Sequence, residues 1–350
     1  MCCCGACDSI VSLKPFGLTG TGCIRDSVWL ASIKVPCNQS LLVPVQYIDT
    51  PERKLCHIKT AATGKFGAIE IANRTDASGI STAVFVKKPR IAGKSLLYEA
   101  LLQNKVQMSL ADGGFPTGAP RVLDIFRLHD GSVCFTMELI EGTDTLDAVL
   151  STTTGQEFTN ILIECLLQVC AMIWHLETSI GMNHRDLKPS NLLLRRHAPV
   201  SRKLRIADME LTIESNFTII LIDFGFSCIG TAETQKADIA LGTHVYHPAD
   251  PCPKKGRDLY SFLAFIFAGN WRRMSADMVG LFEKWLTIPG SKLTEFLRKS
   301  PGDVNKWIYF ITGNKDINEF DCCPCRIVGD LRKFGGGGGG GAANGGTGSS

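Results

Sequence analysis

The longest regular pattern in the chain is a set of apolar residues at three- and four-residue steps: Phe158, Ile161, Leu162, Cys165, Leu166, Val169, Met172, Ile173 and Leu176. That spacing gathers them on one face of an α-helix, and such a face belongs in a core. Thr82-Ala83-Val84-Phe85-Val86-Lys87-Lys88 is a β-rich run. Phe217-Thr218-Ile219-Ile220 is an apolar, β-branched run of the kind that forms a buried strand. Ser95 to Gln103 is a helix window with Ser95 as its expected N-cap. Cys134 to Gly142 starts as an apolar strand and ends in a more polar turn. Together these predict an α+β fold, strand-rich with one helix over roughly 50–140 and mainly helical over roughly 141–330.

Composition changes the picture mostly at the ends. Residues 1–45 read as an N-terminal extension with some apolar character. Gly335 to Gly341 are seven consecutive glycines followed by small polar residues, so 331–350 is expected to be a disordered tail. The 350 residues are 45% hydrophobic and 20% charged, which suits a globular domain with its own core. A net charge of +3 gives no argument for nucleic acid. No apolar run is expected to cross a membrane, since Glu164 and Gln168 interrupt Ile161 to Ile173. The start lacks a basic region and a signal-like apolar core, so the expected setting is intracellular, cytoplasmic or nuclear. Most of the fifteen cysteines, such as Cys134, Cys165 and Cys170, are expected as small core hydrophobes without disulfides. Cys2, Cys3, Cys4 and Cys7 cluster at one end and Cys322, Cys323 and Cys325 near the other. Cys4 and Cys7 have zinc-pair spacing without a clean second pair. A membrane tether through S-acylation of the N-terminal cysteines is weighed but not favoured over a tip with no further role.

The chemistry concentrates in Asn183-His184-Arg185-Asp186-Leu187-Lys188-Pro189-Ser190-Asn191. Asp186 can accept the proton of an attacking hydroxyl, Lys188 can neutralise charge on a phosphoryl group in flight, and Asn191 can offer an oxygen to Mg²⁺. Downstream, the buried strand ends in Leu221-Ile222-Asp223-Phe224-Gly225, which delivers a second carboxylate, Asp223, to a loop, where it would hold Mg²⁺ beside Asn191. In this order the two segments resemble the protein kinase superfamily, and Lys188 resembles its serine/threonine branch. The resemblance covers about residues 55–270. It implies a two-lobed fold with a β-rich N-lobe over about 50–140 and a helical C-lobe over about 141–330. It also implies ATP and Mg²⁺ as cofactors and protein substrates bearing Ser or Thr. Asp186 and Asp223 stand 37 positions apart, about twice the family's usual spacing. The excess reads as a lengthened surface hairpin, at little cost in closure entropy.

The same resemblance assigns a nucleotide site. Ala62-Thr63-Gly64-Lys65-Phe66-Gly67-Ala68-Ile69 has the spacing of the phosphate-covering glycine loop, with Ala62 in the first glycine place. Ile69 would pack on adenine. Lys88 is preferred over Lys87 as the phosphate-binding lysine, because it sets Val86 rather than bulky Phe85 against adenine. Glu99 is the lysine's expected partner. Met137 would sit behind the adenine, with the backbone of Glu138, Leu139 and Ile140 along its edge and Asp144 near the ribose. Ser227, Thr231, Thr234 and Thr243 fall in the expected activation segment, where Arg185 could pair with a phosphate and Thr243 would contact Asp186 and Lys188. Asp250 takes the place of the segment's closing glutamate, with Arg272 and Arg273 as candidate partners. Asp258 would brace the catalytic loop by accepting backbone hydrogen bonds. The implied activity is ATP-dependent transfer to serine or threonine, with a non-catalytic scaffold as the alternative.

Overall fold

The computed structural model describes residues 46–47, 54–63, 67–75, 78–128, 130–229, 253–287, 293–299, 303–314, 316–317 and 319–336. The N-terminal part is a six-stranded sheet of β1 (Gln46–Tyr47), β2 (Lys54–Thr63), β3 (Gly67–Thr75), β4 (Ser81–Pro89), β5 (Val122–Arg127) and β6 (Val133–Glu138), with α1 (Leu97–Asp112) between β4 and β5. Strand order is β1-β5-β6-β4-β3-β2. Every pairing is antiparallel except β1 with β5. Alternation along β4 sends Val84 and Val86 into a small core with Ala72, Phe126 and Cys134. On that face Arg74 bonds Asp124 at 2.6 and 3.0 Å, and Thr136 donates to Asp124 at 2.7 Å, tying β3 to β5 across the sheet. The opposite face carries Phe85 and Lys87. By register it also carries Ile69, Ile71, Phe135 and Met137.

The following part is mainly helical. It contains β7 (Thr143–Thr145), α2 (Leu146–Thr152), α3 (Gly155–Ile180), β8 (Met182–Asn183), β9 (Leu192–Ile206), β10 (Met209–Leu221) and β11 (Cys228–Ile229). Then come α4 (Arg257–Asn270), α5 (Ala276–Trp285), α6 (Leu293–Lys299), α7 (Val304–Thr312) and α8 (Pro324–Gly336). The molecule is thus mixed α and β, with its sheet N-terminal, an arrangement compatible with a kinase fold. All nine periodic residues of the 158–176 pattern are buried on α3, in one core with α1, α4 and the β9–β10 hairpin. Gly181, at φ 59°, ends the helix in the left-handed conformation. By length and composition α3 would suffice to cross a membrane, contrary to the sequence expectation. Its apolar side chains pack inside the protein instead.

The extra residues between Asp186 and Asp223 form the β9–β10 hairpin, whose Leu204, Ile206 and Leu211 enter the main core. Gln168 of α3 holds it, donating to the Phe217 carbonyl at 3.0 Å and accepting from the Ile219 N–H at 3.1 Å. Two boundaries differ from the sequence reading. Ser95 is not the N-cap of α1, which begins at Leu97 with Leu96 at its cap, though the Ser95 hydroxyl accepts from the Leu97 N–H at 3.2 Å. Helix α8 runs past residue 331 to Gly336, since Ile327, Val328 and Leu331 are buried. Several expectations concern residues outside those described: the 1–45 extension with its cysteine tip, Gly64 and Phe66 of the glycine loop, Thr231, Thr234, Thr243 and Asp250, and the glycine run after Gly336.

Candidate active site

The loop from His184 to Leu192 is fixed from below by α4. Both carboxylate oxygens of Asp258 accept backbone N–H groups, His184 at 2.6 Å and Arg185 at 2.8 Å. Asp258 is fully buried, and these bonds hold Arg185 at φ 64°, a strained value for a residue with a Cβ. From the side, the Ile222 N–H donates to the Asn191 carbonyl at 3.1 Å and His184 Nε2 meets the Ile222 carbonyl at 3.0 Å. The His184 and Phe224 rings pack at 5.2 Å. Ser227 is buried, with its hydroxyl donating to the His184 carbonyl at 3.1 Å, so it serves as a strut rather than an exposed acceptor.

This frame brings Asp186, Lys188 and Asn191 together. Lys188 Nζ lies 2.9 Å from each oxygen of Asp186. Asn191 Nδ2 donates to the Asp186 carbonyl and to its Oδ2, both at 2.9 Å. With the amide nitrogen so engaged, the Asn191 side-chain oxygen, the atom a hard cation would take, is directed away from that carboxylate. One member of the group went unforeseen: the Tyr309 hydroxyl, from α7, donates to Asp186 Oδ1.

The lysine assignment is corrected. Lys87, not Lys88, turns inward: it is 9% exposed, pairs with Glu99 of α1 and lies 2.8 Å from Asp223 Oδ1. Lys88 faces the other way and pairs with Glu70 at 2.6 Å, its side chain 32% exposed. The register decides this, since Lys87 stands opposite Ile69 and Phe135 on the face turned toward α1. Phe85 therefore occupies the neighbouring position on that face, opposite Ile71 and Met137. Burial alone would lower the Lys87 pKa, but the Glu99 and Asp223 carboxylates outweigh it and hold the ammonium well above its ordinary value. Burial likewise pushes Asp223 up, and Lys87 more than reverses that. Asp223 sits at φ 64° with its side chain 45% exposed, so an oxygen faces solvent beside the lysine.

Of the remaining predicted residues, Gly67, Ile69 and Met137 share the Lys87 face of the sheet, whereas Glu138 falls on the other face and Asp144 lies on β7, outside that sheet. A Cβ on Gly67 would come within 2.8 Å of the Lys88 carbonyl, so β3 can approach β4 this closely only with glycine there. Ile69 is half-buried opposite Lys87. Met137 is buried, with Gln103 Nε2 3.5 Å from its sulfur. The Glu138 N–H already donates to the Arg121 carbonyl at 2.9 Å and is not available to a ligand, whereas Leu139 is half-buried just beyond the strand end. Asp144 is exposed on β7. Arg273 caps α2 through the Leu150 and Thr153 carbonyls, and Arg272 lies over Trp271.

Among the described residues no group of three or more His, Cys, Asp or Glu forms a metal cage. The oxygens of Asp223 and Asn191 nonetheless suit Mg²⁺, which takes one or two protein oxygens and completes its shell with water and phosphate. In the comparisons with known proteins, no family model matches the chain. Sporulation protein kinase mde3 of Schizosaccharomyces pombe is 25% identical over 210 residues, 58% of this chain and 35% of that protein's own length. The chain is thus distantly similar to a protein kinase and spans about a third of it.

Proposed function

We propose that the chain is an ATP-dependent serine/threonine protein kinase. The observation that carries this is Lys87, which joins Glu99 of the sheet's helix to Asp223 at the edge of the loop cluster. Such an ammonium, kept charged by two carboxylates, suits nucleotide phosphates. Asp186 takes the proton of the acceptor hydroxyl while Lys188 turns from that carboxylate to the transferred phosphoryl group. The bond from the γ-phosphorus to its bridging oxygen breaks as the bond to the acceptor oxygen forms, and ADP leaves. Asp223 and Asn191 would hold Mg²⁺, which neutralises phosphate charge when bound. Lys188 is the residue that favours serine and threonine acceptors, and the likeness to a sporulation protein kinase supports a protein substrate.

One observation favours a second reading, a scaffold without transfer: Phe85 is bulky where a small residue would leave room for adenine. A γ-phosphate transfer assay on a basic protein decides between them. Wild type should incorporate phosphate and Asp186→Ala should lose at least ~100-fold. Equal incorporation by the two would sink the kinase reading.

A further inference from the structure

Among the described residues three side chains hold the Asp186 carboxylate, and one comes from far along the chain. Oδ2 accepts from Asn191, Oδ1 accepts from Tyr309, and Lys188 spans both oxygens. Lys188 Nζ also donates to the Tyr309 hydroxyl at 3.3 Å. Tyr309 is 123 residues from Asp186. Its helix is firmly seated. Ile308 and Thr312 are fully buried on either side of it, and the ring meets Phe265 of α4 edge-on at 6.0 Å. The C-terminal end of α7 is anchored by Lys254, a fully buried lysine whose ammonium donates to the Thr312 and Asn314 carbonyls at 3.2 and 2.8 Å. The Lys254 N–H in turn donates to Asn183 Oδ1 at 2.6 Å, at the entrance of the catalytic loop. A cation on the carbonyl end of a helix also complements its dipole. Tyr309 is therefore delivered by elements locked to the same loop it touches.

The proposed reaction gives this arrangement a task. Once Lys188 turns to the phosphoryl group, Asn191 would be, but for Tyr309, the one hold left on the carboxylate among the described residues, at one oxygen. We propose that Tyr309 is a positioning residue, whose hydroxyl keeps the Asp186 carboxylate oriented toward the acceptor while Lys188 is engaged elsewhere. With Lys188 gone from Oδ1, the Tyr309 bond uses one lone pair of that oxygen and leaves the other for the acceptor hydroxyl. This rests on the kinase reading and assigns to it a residue from the last quarter of the chain.

The test is Tyr309→Phe in the full chain, which keeps the ring and its contact with Phe265 and removes only the hydroxyl. Steady-state kinetics with ATP and an acceptor peptide should show kcat about tenfold lower, with the KM for ATP and the melting temperature unchanged. A purely structural role would move the melting temperature and leave the transfer step alone. Tyr309→Gln, which restores a donor, should recover part of kcat that Tyr309→Leu does not, and this pair serves if the phenylalanine variant fails to fold. Unchanged kcat in Tyr309→Phe overturns the inference, as does a rise in kcat, which would mean that the hydroxyl blocks the acceptor's place. Phosphate found on Tyr309 itself would overturn it too, making that hydroxyl an acceptor. Absence of transfer by the wild type would remove the kinase reading and this inference with it, whereas transfer by wild type and variant alike removes this one alone.

Discussion

Replacing Lys87 by methionine keeps the length of the side chain and removes its charge. Glu99, 3% exposed, and Asp223 would then share a space without the cation between them. Removing one partner of a buried pair costs about 3–5 kcal/mol when the other is left charged. Glu99 has a way out, because burial already pushes its carboxyl up despite Lys87, so it takes up a proton. That relief leaves about 2 kcal/mol of lost stability, or roughly 5 °C in melting temperature. The rate should suffer more, by ~100-fold, as when one pre-aimed electrostatic donor is lost from an active site. Lys88→Met is the matched control, since it breaks only the surface pair with Glu70, worth at most about 1 kcal/mol. Thermal melts and γ-phosphate transfer on both variants read out the difference. Equal losses in the two, or a larger loss in Lys88→Met, would refute the inward orientation of Lys87.

Asp258→Asn offers one oxygen where two N–H groups need acceptors, leaving His184 or Arg185 unsatisfied. Urea unfolding should show about 2 kcal/mol less stability, with transfer falling about tenfold; an unchanged midpoint would contradict the bracing role. Glu177, half-buried, accepts from the Gly256 N–H at 3.2 Å, and its pKa is raised to about 8, first by burial and then by Asp258. The folded state therefore keeps a proton that the unfolded chain releases above its ordinary value of 4.5, and stability falls as pH rises from there to about 8. Glu177→Gln keeps the acceptor oxygen without that proton. It should melt with the wild type near pH 4.5 and several degrees above it at pH 8, and a gap that does not widen with pH would count against the shift.

What the sequence made legible follows from how local each signal is. The α3 periodicity, the Asp186 loop, the Asp223 turn and Glu99 are all written within a few neighbouring residues, and Asp258 lies in the first turn of a readable helix. The choice between Lys87 and Lys88 was not local. Two consecutive lysines on a strand face opposite ways, and only the pairing of β4 with β3 and β6 says which face meets α1. The preference for a small residue beside the lysine pointed to Lys88, whereas the lysine that reaches Glu99 is Lys87, with Phe85 beside it. Tyr309 left no mark at all in its own neighbourhood. Its partners come from a loop 123 residues upstream, and the packing of α7 on α4 that joins them is a property of the folded core. The hairpin insertion was visible as length, but its burial against α3 depended on Gln168 reaching across, which composition does not announce.

Between its two central aspartates the chain runs out along β9 and back along β10, turning near Ala207, where φ is 52°. The separation of paired residues grows from Ile206–Met209 beside the turn to Leu192–Leu221 at the far end, and each rung needs only the one before it to be in place. Such a ladder zips from its turn in about 1–10 μs, and its last rung brings Asn191 and Ile222 side by side. The two acidic residues can therefore be drawn together early in folding, before α4 and α7 arrive to hold the Asp186 loop. Longer arms add local rungs rather than a wider loop to close. The length of the hairpin is then a free variable for the folding rate, while its register at Leu192 and Leu221 is not.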